Sequence, residues 1–304
     1  MIKRKGIYNI PEKCKKHLFL KIKSTYKMLL GVHCSISGGI ENAIIEAAGL
    51  KTDVLQIFTK NQRAWKEKEY SEAEGNAFKK DMGDNSIKMC FSHTTYLLNL
   101  ASSDDELRNK SIKGLAAELT RCHVLGLPYA VLHPGSNKLV SKDEAISIIA
   151  RSLNEVFELT GGIDTKVLLE NTAGQGSTIG GEFEHLGDIM DQVERKSRLG
   201  VCFDTCHAFA AGHDIRTQDS FEDTMARLHK AVDLDNLLAF HLNDSKGELG
   251  KHLDRHENIG QGLIGPEPFR QIINRFPAKP KVLETPKKED WDAKNLNFLR
   301  SLLD

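Results

Sequence analysis

No apolar run in this 304-residue chain approaches the roughly 20 residues that a membrane-spanning helix needs, so no membrane partner is expected. Cysteine is sparse: Cys14, Cys34, Cys90, Cys122, Cys202 and Cys206 are irregularly spaced, with no C-x-x-C pair. That excludes the disulfide-dense scaffold of a small secreted domain and fits free thiols in a reducing cytoplasm. Cys34, Cys90 and Cys202 fall inside strand-like runs, where a thiol acts as a small buried apolar group. No linker or low-complexity segment divides the chain after residue 28, so one domain is expected over 28–304.

The formal net charge is zero, but it is unevenly spread. Residues 1–27 hold nine Lys and Arg against one acid, Glu12, which leaves the remainder with a net charge of −8. The acidic body repels phosphate in bulk, so any nucleic-acid surface on it has to be local. The basic arm lacks the uninterrupted apolar segment and small-residue cleavage site of a secretory signal. It reads as a disordered extension or a misassigned start, since patterned sequence begins at Met28. If it is part of the native chain, it is expected to add salt-sensitive affinity for polyanions.

From residue 29, short β-branched runs alternate with amphipathic stretches. The runs are "LLGVHCS" (29–35), "DVLQIFTK" (53–60), "IKMCFSH" (87–93), "YAVLHPG" (129–135), "KVLLENT" (166–172), "LGVCFDT" (199–205), "LLAFHLND" (237–244) and "KVLETP" (281–286). Helices are predicted near 38–50, 71–83, 104–125, 142–160, 182–196, 219–233, 266–275 and 290–303, with cap signals at Ser71, Ser103 and Ser141. Eight such units predict an α/β fold, the single-domain (β/α)8 TIM barrel. The alternative is an open doubly wound sheet. "SISGGIENA" has two glycines but not the G-x-G-x-x-G turn expected after its first strand.

In a parallel barrel, functional side chains sit where strands end and loops begin. Those positions hold His93, His133, Glu170, Asp204 with His207 three residues on, His241, and Glu284; the loop after the seventh strand adds Asp254 and His256. Any one of them alone reads as a hydrogen-bonded structural residue. Together, several carboxylates facing one mouth repel unless compensated, and histidines beside them suit divalent cations. Nine ligands exceed what one zinc takes and fit two or three metals. Imidazole with carboxylate favours Zn²⁺, with Mn²⁺ or Fe²⁺ as alternatives. Clustered metals suit in-line displacement at phosphorus. In "DTCH", Asp204 and His207 read as ligands and Cys206 as a bystander. His213 lies further along the loop, and His33 is placed to orient a ligand or water from outside the set.

"FTKNQRAW", "LHPGS", "LLENTAGQGS", "GVCFDTCHAFAAG", "HLNDSK", "LDRHENIGQG" and "VLET" resemble endonuclease IV, the zinc-dependent apurinic/apyrimidinic endonuclease family, over about residues 29–300. The resemblance implies a barrel with three zinc ions that cleaves duplex DNA 5′ to an abasic site, leaving a 3′-hydroxyl and a 5′-deoxyribose phosphate, and that trims blocked 3′ ends. It implies His93, His133 and Glu170 on one ion. Glu170 would bridge to a second ion held with Asp204, His241 and Glu284, and His207, Asp254 and His256 would hold the third. Glu170 is the expected catalytic carboxylate, and Mn²⁺ is an alternative at one or more sites. Arg63, Tyr96 and Leu97 are implied to enter the DNA where the abasic sugar leaves the stack, as a guanidinium and an aromatic ring can. Thr94 and Thr95 depart from the family pattern and are expected to change the polarity of a DNA-facing loop. A cytoplasmic monomer is expected.

Two rival readings stand beside this one. A sugar isomerase or epimerase on a similar barrel would leave His93, His133, Asp254 and His256 surplus. A DNA-damage binder without chemistry would show a lost ligand, and none is lost.

Overall fold

The computed structural model describes residues 28–304; the basic arm, with the expectations attached to it, lies outside them. The strands are β1 (Leu30–His33), β2 (Val54–Ile57), β3 (Met89–His93), β4 (Tyr129–Leu132), β5 (Lys166–Glu170), β6 (Leu199–Asp204), β7 (Leu237–His241), a short antiparallel pair β8 (Asp244–Ser245) and β9 (His256–Glu257), and β10 (Lys281–Leu283). Eight of them pair in parallel and close in the ring order β1-β2-β3-β4-β5-β6-β7-β10. Around them lie α1 (Glu41–Gly49), α2 (Glu72–Asp84), α3 (Asp105–Leu125), α4 (Lys142–Leu159), α5 (Phe183–Gln192), α6 (Thr205–Ala211), α7 (Gln218–Val232), α8 (Glu267–Arg275) and α9 (Trp291–Ser301). The fold is the expected (β/α)8 barrel. Among the described residues, no helix is long and apolar enough to cross a membrane.

Local chemistry sets the helix starts. Ser71 Oγ accepts from Glu74 N, and the Glu74 carboxylate accepts from Ser71 N, which satisfies two otherwise orphaned donors. Ser141 caps α4 through Glu144 N. The cap expected at Ser103 is instead Asp104, whose carboxylate accepts from Glu106 N and Leu107 N. A carboxylate meets the positive helix end better than a hydroxyl does. Gly126, at φ +73°, ends α3.

The core has two parts. The larger lies between strands and helices and includes the buried Phe78, Phe157, Phe183, Phe221 and Phe269. The smaller fills the barrel: Val54, Phe91, Val131, Leu168, Cys202, Ala239 and Val282, one from each of seven strands. The eighth strand contributes Gly31, where a Cβ would stand 1.7 Å from Val54 O, so only hydrogen fits at the β1–β2 seam. Cys34, Cys90, Cys122, Cys202 and Cys206 are free and buried.

This inner layer positions the site. Side chains alternate along a strand, so the residue two positions after each interior one also faces inward, a step nearer the carboxyl end. From Gly31, Val54, Phe91, Val131, Leu168, Cys202, Ala239 and Val282, that step gives His33, Gln56, His93, His133, Glu170, Asp204, His241 and Glu284. An apolar floor thus carries a polar ring.

Candidate metal centre at the barrel mouth

Glu170 is fully buried at the centre of the ring. Its Oε2 lies 3.0 Å from His133 Nε2 and 3.2 Å from His93 Nε2. Its Oε1 lies 2.9 Å from His241 Nδ1 and 3.2 Å from His207 Nδ1. His241 Nδ1 also faces Glu284 Oε2 at 3.3 Å and Asp204 Oδ2 at 3.9 Å. Asp254 sits between two imidazoles, 3.2 Å from His207 Nε2 and 3.1 Å from His256 Nε2.

All nine expected ligands therefore meet. Two clusters of donor atoms, each within 4.8 Å, match the expected sets: His93 with His133 and Glu170, and Glu170 with Asp204, His241 and Glu284. The third expected set, His207 with Asp254 and His256, is divided between two clusters. Asp204 clusters with His207 and His256, and Cys206 with Asp254 and His256. Burial, with the Asp204 carboxylate, pushes the Cys206 thiol up to about 12.

The β7–α8 connection delivers Asp254 and His256, and Asp244 organises it. Its carboxylate accepts from the backbone N–H groups of Ser245, Gly260, Gly262 and Ile264. The β8–β9 pair then returns the chain so that His256 reaches the ring. Asp204, the last residue of β6, also caps α6 by accepting from His207 N, which fixes His207 one turn above it.

These carboxylates need compensating charge. Burial alone would raise the Glu170 carboxyl, but the imidazoles of His241, His133 and His207 hold it well below the usual range. Glu284 is lowered likewise, its burial outweighed by His241, His33 and His93. Burial opposes a proton on His207, yet Asp204, Asp254 and Glu170 hold its pKa well above the ordinary value. His256 is raised to about 9, against burial, by Asp254 and Asp204.

Protons on the imidazoles are one compensation and divalent cations the other, and the outer ring nitrogens leave the inner ones free to meet cations. His93 Nδ1 lies 2.7 Å from Thr94 O, His207 Nδ1 3.0 Å from Asn171 O, and His256 Nδ1 3.0 Å from Glu284 O. A carbonyl accepts only, so each Nδ1 carries hydrogen, and on a neutral ring each Nε2 lone pair is then turned toward carboxylate oxygen. Two acceptors facing one another call for a cation between them. His256 Nε2 is buried without a hydrogen-bond partner, although a carboxylate oxygen lies close. The donor set therefore fits metal ions.

Three neutral side chains absent from the expected set support the ring. Gln56 joins His241, Glu284 and His33. Asn171 Oδ1 accepts from Asp204 N, and Asn243 Nδ2 donates to Asp204 Oδ2 at 2.6 Å. His33 accepts from Gln56 and lies 3.7 Å from Glu284, outside the donor clusters as expected. His213 is used elsewhere: it stacks on Phe183 at 4.1 Å and donates to Gly181 O.

Arg63 is exposed on the β2–α2 loop, Tyr96 is 64% exposed beside His93 and His133, and Leu97 is half-buried. A groove of about 360 Å³ runs from Tyr96 past His133 and His207 to Asp254, and Asn99, Ser136 and Gln175 add polar groups to its walls. Thr94 and Thr95 correct an expectation. Both are buried, so neither alters the polarity of an exposed loop. Thr95 Oγ1 instead donates to Gln62 O and accepts from Leu97 N, tying the loop of Arg63 to that of Tyr96.

Residues 44–302 match a family described as xylose isomerase-like TIM barrel. A protein named probable endonuclease 4, from Geobacter sp. (strain M21), is 44% identical over 280 residues, which is 91% of this chain and 99% of that one. The crystal structure of endonuclease IV from Thermus thermophilus superposes with a TM-score of 0.81 at 35% identity, covering 90% of this chain and 98% of that one. A D-tagatose 3-epimerase-like protein superposes at 0.71 with 20% identity, covering 90% and 97%; that likeness is one of fold alone.

Proposed function

The chain belongs to the endonuclease IV family, and from that premise we propose that it is a DNA-repair hydrolase. In this reading it cleaves the phosphodiester 5′ to abasic sites in duplex DNA, leaving a 3′-hydroxyl and a 5′-deoxyribose phosphate, and trims blocked 3′ ends. The observation that carries the reading is the gathering of nine His, Asp and Glu side chains at one barrel mouth, with the Glu170 carboxylate joining two of the donor groups. His93, His133 and Glu170 would hold one ion, Glu170, Asp204, His241 and Glu284 a second, and His207, Asp254 and His256 a third. Zinc suits this set, with Mn²⁺ an alternative.

Bound there, such ions would supply Lewis acidity at the phosphate, a lowered pKa for the attacking water and positive charge near the departing 3′-oxygen. The protein's own part is positioning. Glu170 orients the attacking water in line with the bond to the 3′-oxygen. Arg63, Tyr96 and Leu97 enter the duplex where the abasic nucleotide leaves it, and the groove beside Tyr96 receives the extruded sugar. The five cysteines among the described residues are buried and free, which suits work in a reducing cytoplasm.

A sugar epimerase has the same architecture but would leave His93, His133, Asp254 and His256 surplus. The deciding experiment offers zinc-loaded protein an abasic duplex and, separately, a panel of ketoses. Strand cleavage with no epimerisation is the expected result; epimerisation without cleavage would overturn the proposal.

A further inference from the structure

Gln56 occupies the polar ring without being a ligand type, and it is fully buried. Its Nε2 lies 2.6 Å from Glu284 Oε1 and 2.9 Å from His33 Nδ1; its Oε1 lies 2.8 Å from His241 Nε2. Only one amide orientation satisfies these contacts. Turned over, Oε1 would face the Glu284 carboxylate at hydrogen-bond distance, acceptor against acceptor. With Nε2 on Glu284, Oε1 can only accept, so His241 Nε2 carries hydrogen. On a neutral ring the His241 lone pair is then on Nδ1, among Glu170, Glu284 and Asp204.

The other imidazoles with an identified outer partner use main-chain carbonyls, those of Thr94, Asn171 and Glu284. His241 differs in depending on a side chain. That side chain also fixes one oxygen of Glu284 and leaves the other toward His241. A neutral amide does both without adding charge to a group that already holds three carboxylates. A Glu at this position would bring a further carboxylate against Glu284.

We propose that Gln56 is a positioning residue for the Glu170, Asp204, His241 and Glu284 group and selectively tightens its hold on a metal ion. The inference rests on the metal-dependent reading above. It predicts that loss of the amide loosens one ion and leaves the others alone, because their ligands are oriented by different groups.

The test is chelator competition on zinc-loaded protein, with released zinc read colorimetrically and the fold followed by circular dichroism. Gln56→Met keeps the volume and loses both polar contacts. It should release one zinc ion per chain about 10–100-fold more readily than wild type, with the remainder unchanged. Gln56→Asn, one methylene shorter, cannot reach both partners and should behave alike; it serves if Gln56→Met does not fold. For a folded variant, kcat on an abasic duplex should fall while the KM for DNA stays within a few-fold. Wild-type release of every ion from a folded variant overturns the inference, and so does equal loosening of all ions, which marks general weakening. Wild-type protein that holds no more than one zinc ion overturns the metal-cluster reading itself, and the inference falls with it.

Discussion

Glu170 Oε1 lies 2.9 Å from His241 Nδ1, while Oε2 of the same carboxylate faces His133 at 3.0 Å. One side chain thereby joins two donor groups. Replacing it with Gln removes the charge and puts an amide nitrogen where one group needs an acceptor. Glu170→Gln should lower kcat on an abasic duplex by a factor of about 10³ or more. Binding of the same duplex, measured by fluorescence anisotropy, should stay within a few-fold, because no DNA-facing loop is altered. Cleavage near the wild-type rate would refute the bridging role.

The loop of Arg63 is braced from below. Thr59 Oγ1 contacts the Glu118 carboxylate and accepts from Arg121 Nε at 2.7 Å; Arg121 also pairs with Glu118 at 2.6 Å and with Glu67. Arg121 and Glu118 are buried, and removing one member of a buried pair strands the other. Arg121→Met should cost about 3 kcal/mol in urea unfolding. Arg63→Ala, on the exposed loop, should stay within about 0.5 kcal/mol of wild type while weakening the capture of abasic over intact duplex. If both variants changed stability alike, the split between brace and contact would fail.

Much of this was legible in the residues. The eight strands follow from β-branched runs, and strand-end position picked out His93, His133, Glu170, Asp204, His241 and Glu284. Gln56 escaped because amides carry no ligand signal of their own. The alternation Val54, Leu55, Gln56 places it in the ring all the same, by the rule that places Glu284 after Val282. Other features depend on partners distant in the chain. No local pattern announces that Asp244 gathers four backbone N–H groups, or that Thr95 reaches Gln62. Ser103 lost the cap to its neighbour because either residue meets the local rule, and the Asp104 carboxylate meets the positive end of α3 better than a hydroxyl does.

Gly31 should be intolerant of any side chain. A Cβ there meets Val54 O at 1.7 Å, and the obstacle is backbone of the paired strand, which cannot rotate away. Gly31→Ala should destabilise by more than about 4 kcal/mol or fail to fold. Gly49, at the end of α1, has nothing within 4 Å of its virtual Cβ. Gly49→Ala should stabilise by about 0.5–1 kcal/mol. Thermal melts of the two variants check the contrast, and a well-folded Gly31→Ala would mean that the β1–β2 seam is looser than these distances require.

Lys281 gives stability a pH dependence independent of the metal centre. It is fully buried, and its Nζ donates to Phe276 O and Lys279 O at 2.5 and 2.7 Å. Burial, with a smaller effect from Lys279, lowers its pKa to about 7, against about 10.4 in an unfolded chain. Below about pH 7 both states hold the proton and the burial penalty is felt in full. Between about 7 and 10.4 the unfolded chain binds more protons, so this contribution to stability rises with pH. Lys281→Met removes the titration but leaves two carbonyls unpartnered, so the informative quantity is how the gap between variant and wild type changes with pH. Urea midpoints at pH 6, 7.5 and 9 should show wild type gaining on the variant by roughly 2–4 kcal/mol across that range. A gap that does not change with pH would mean that the two carbonyls stabilise the ammonium as well as water does.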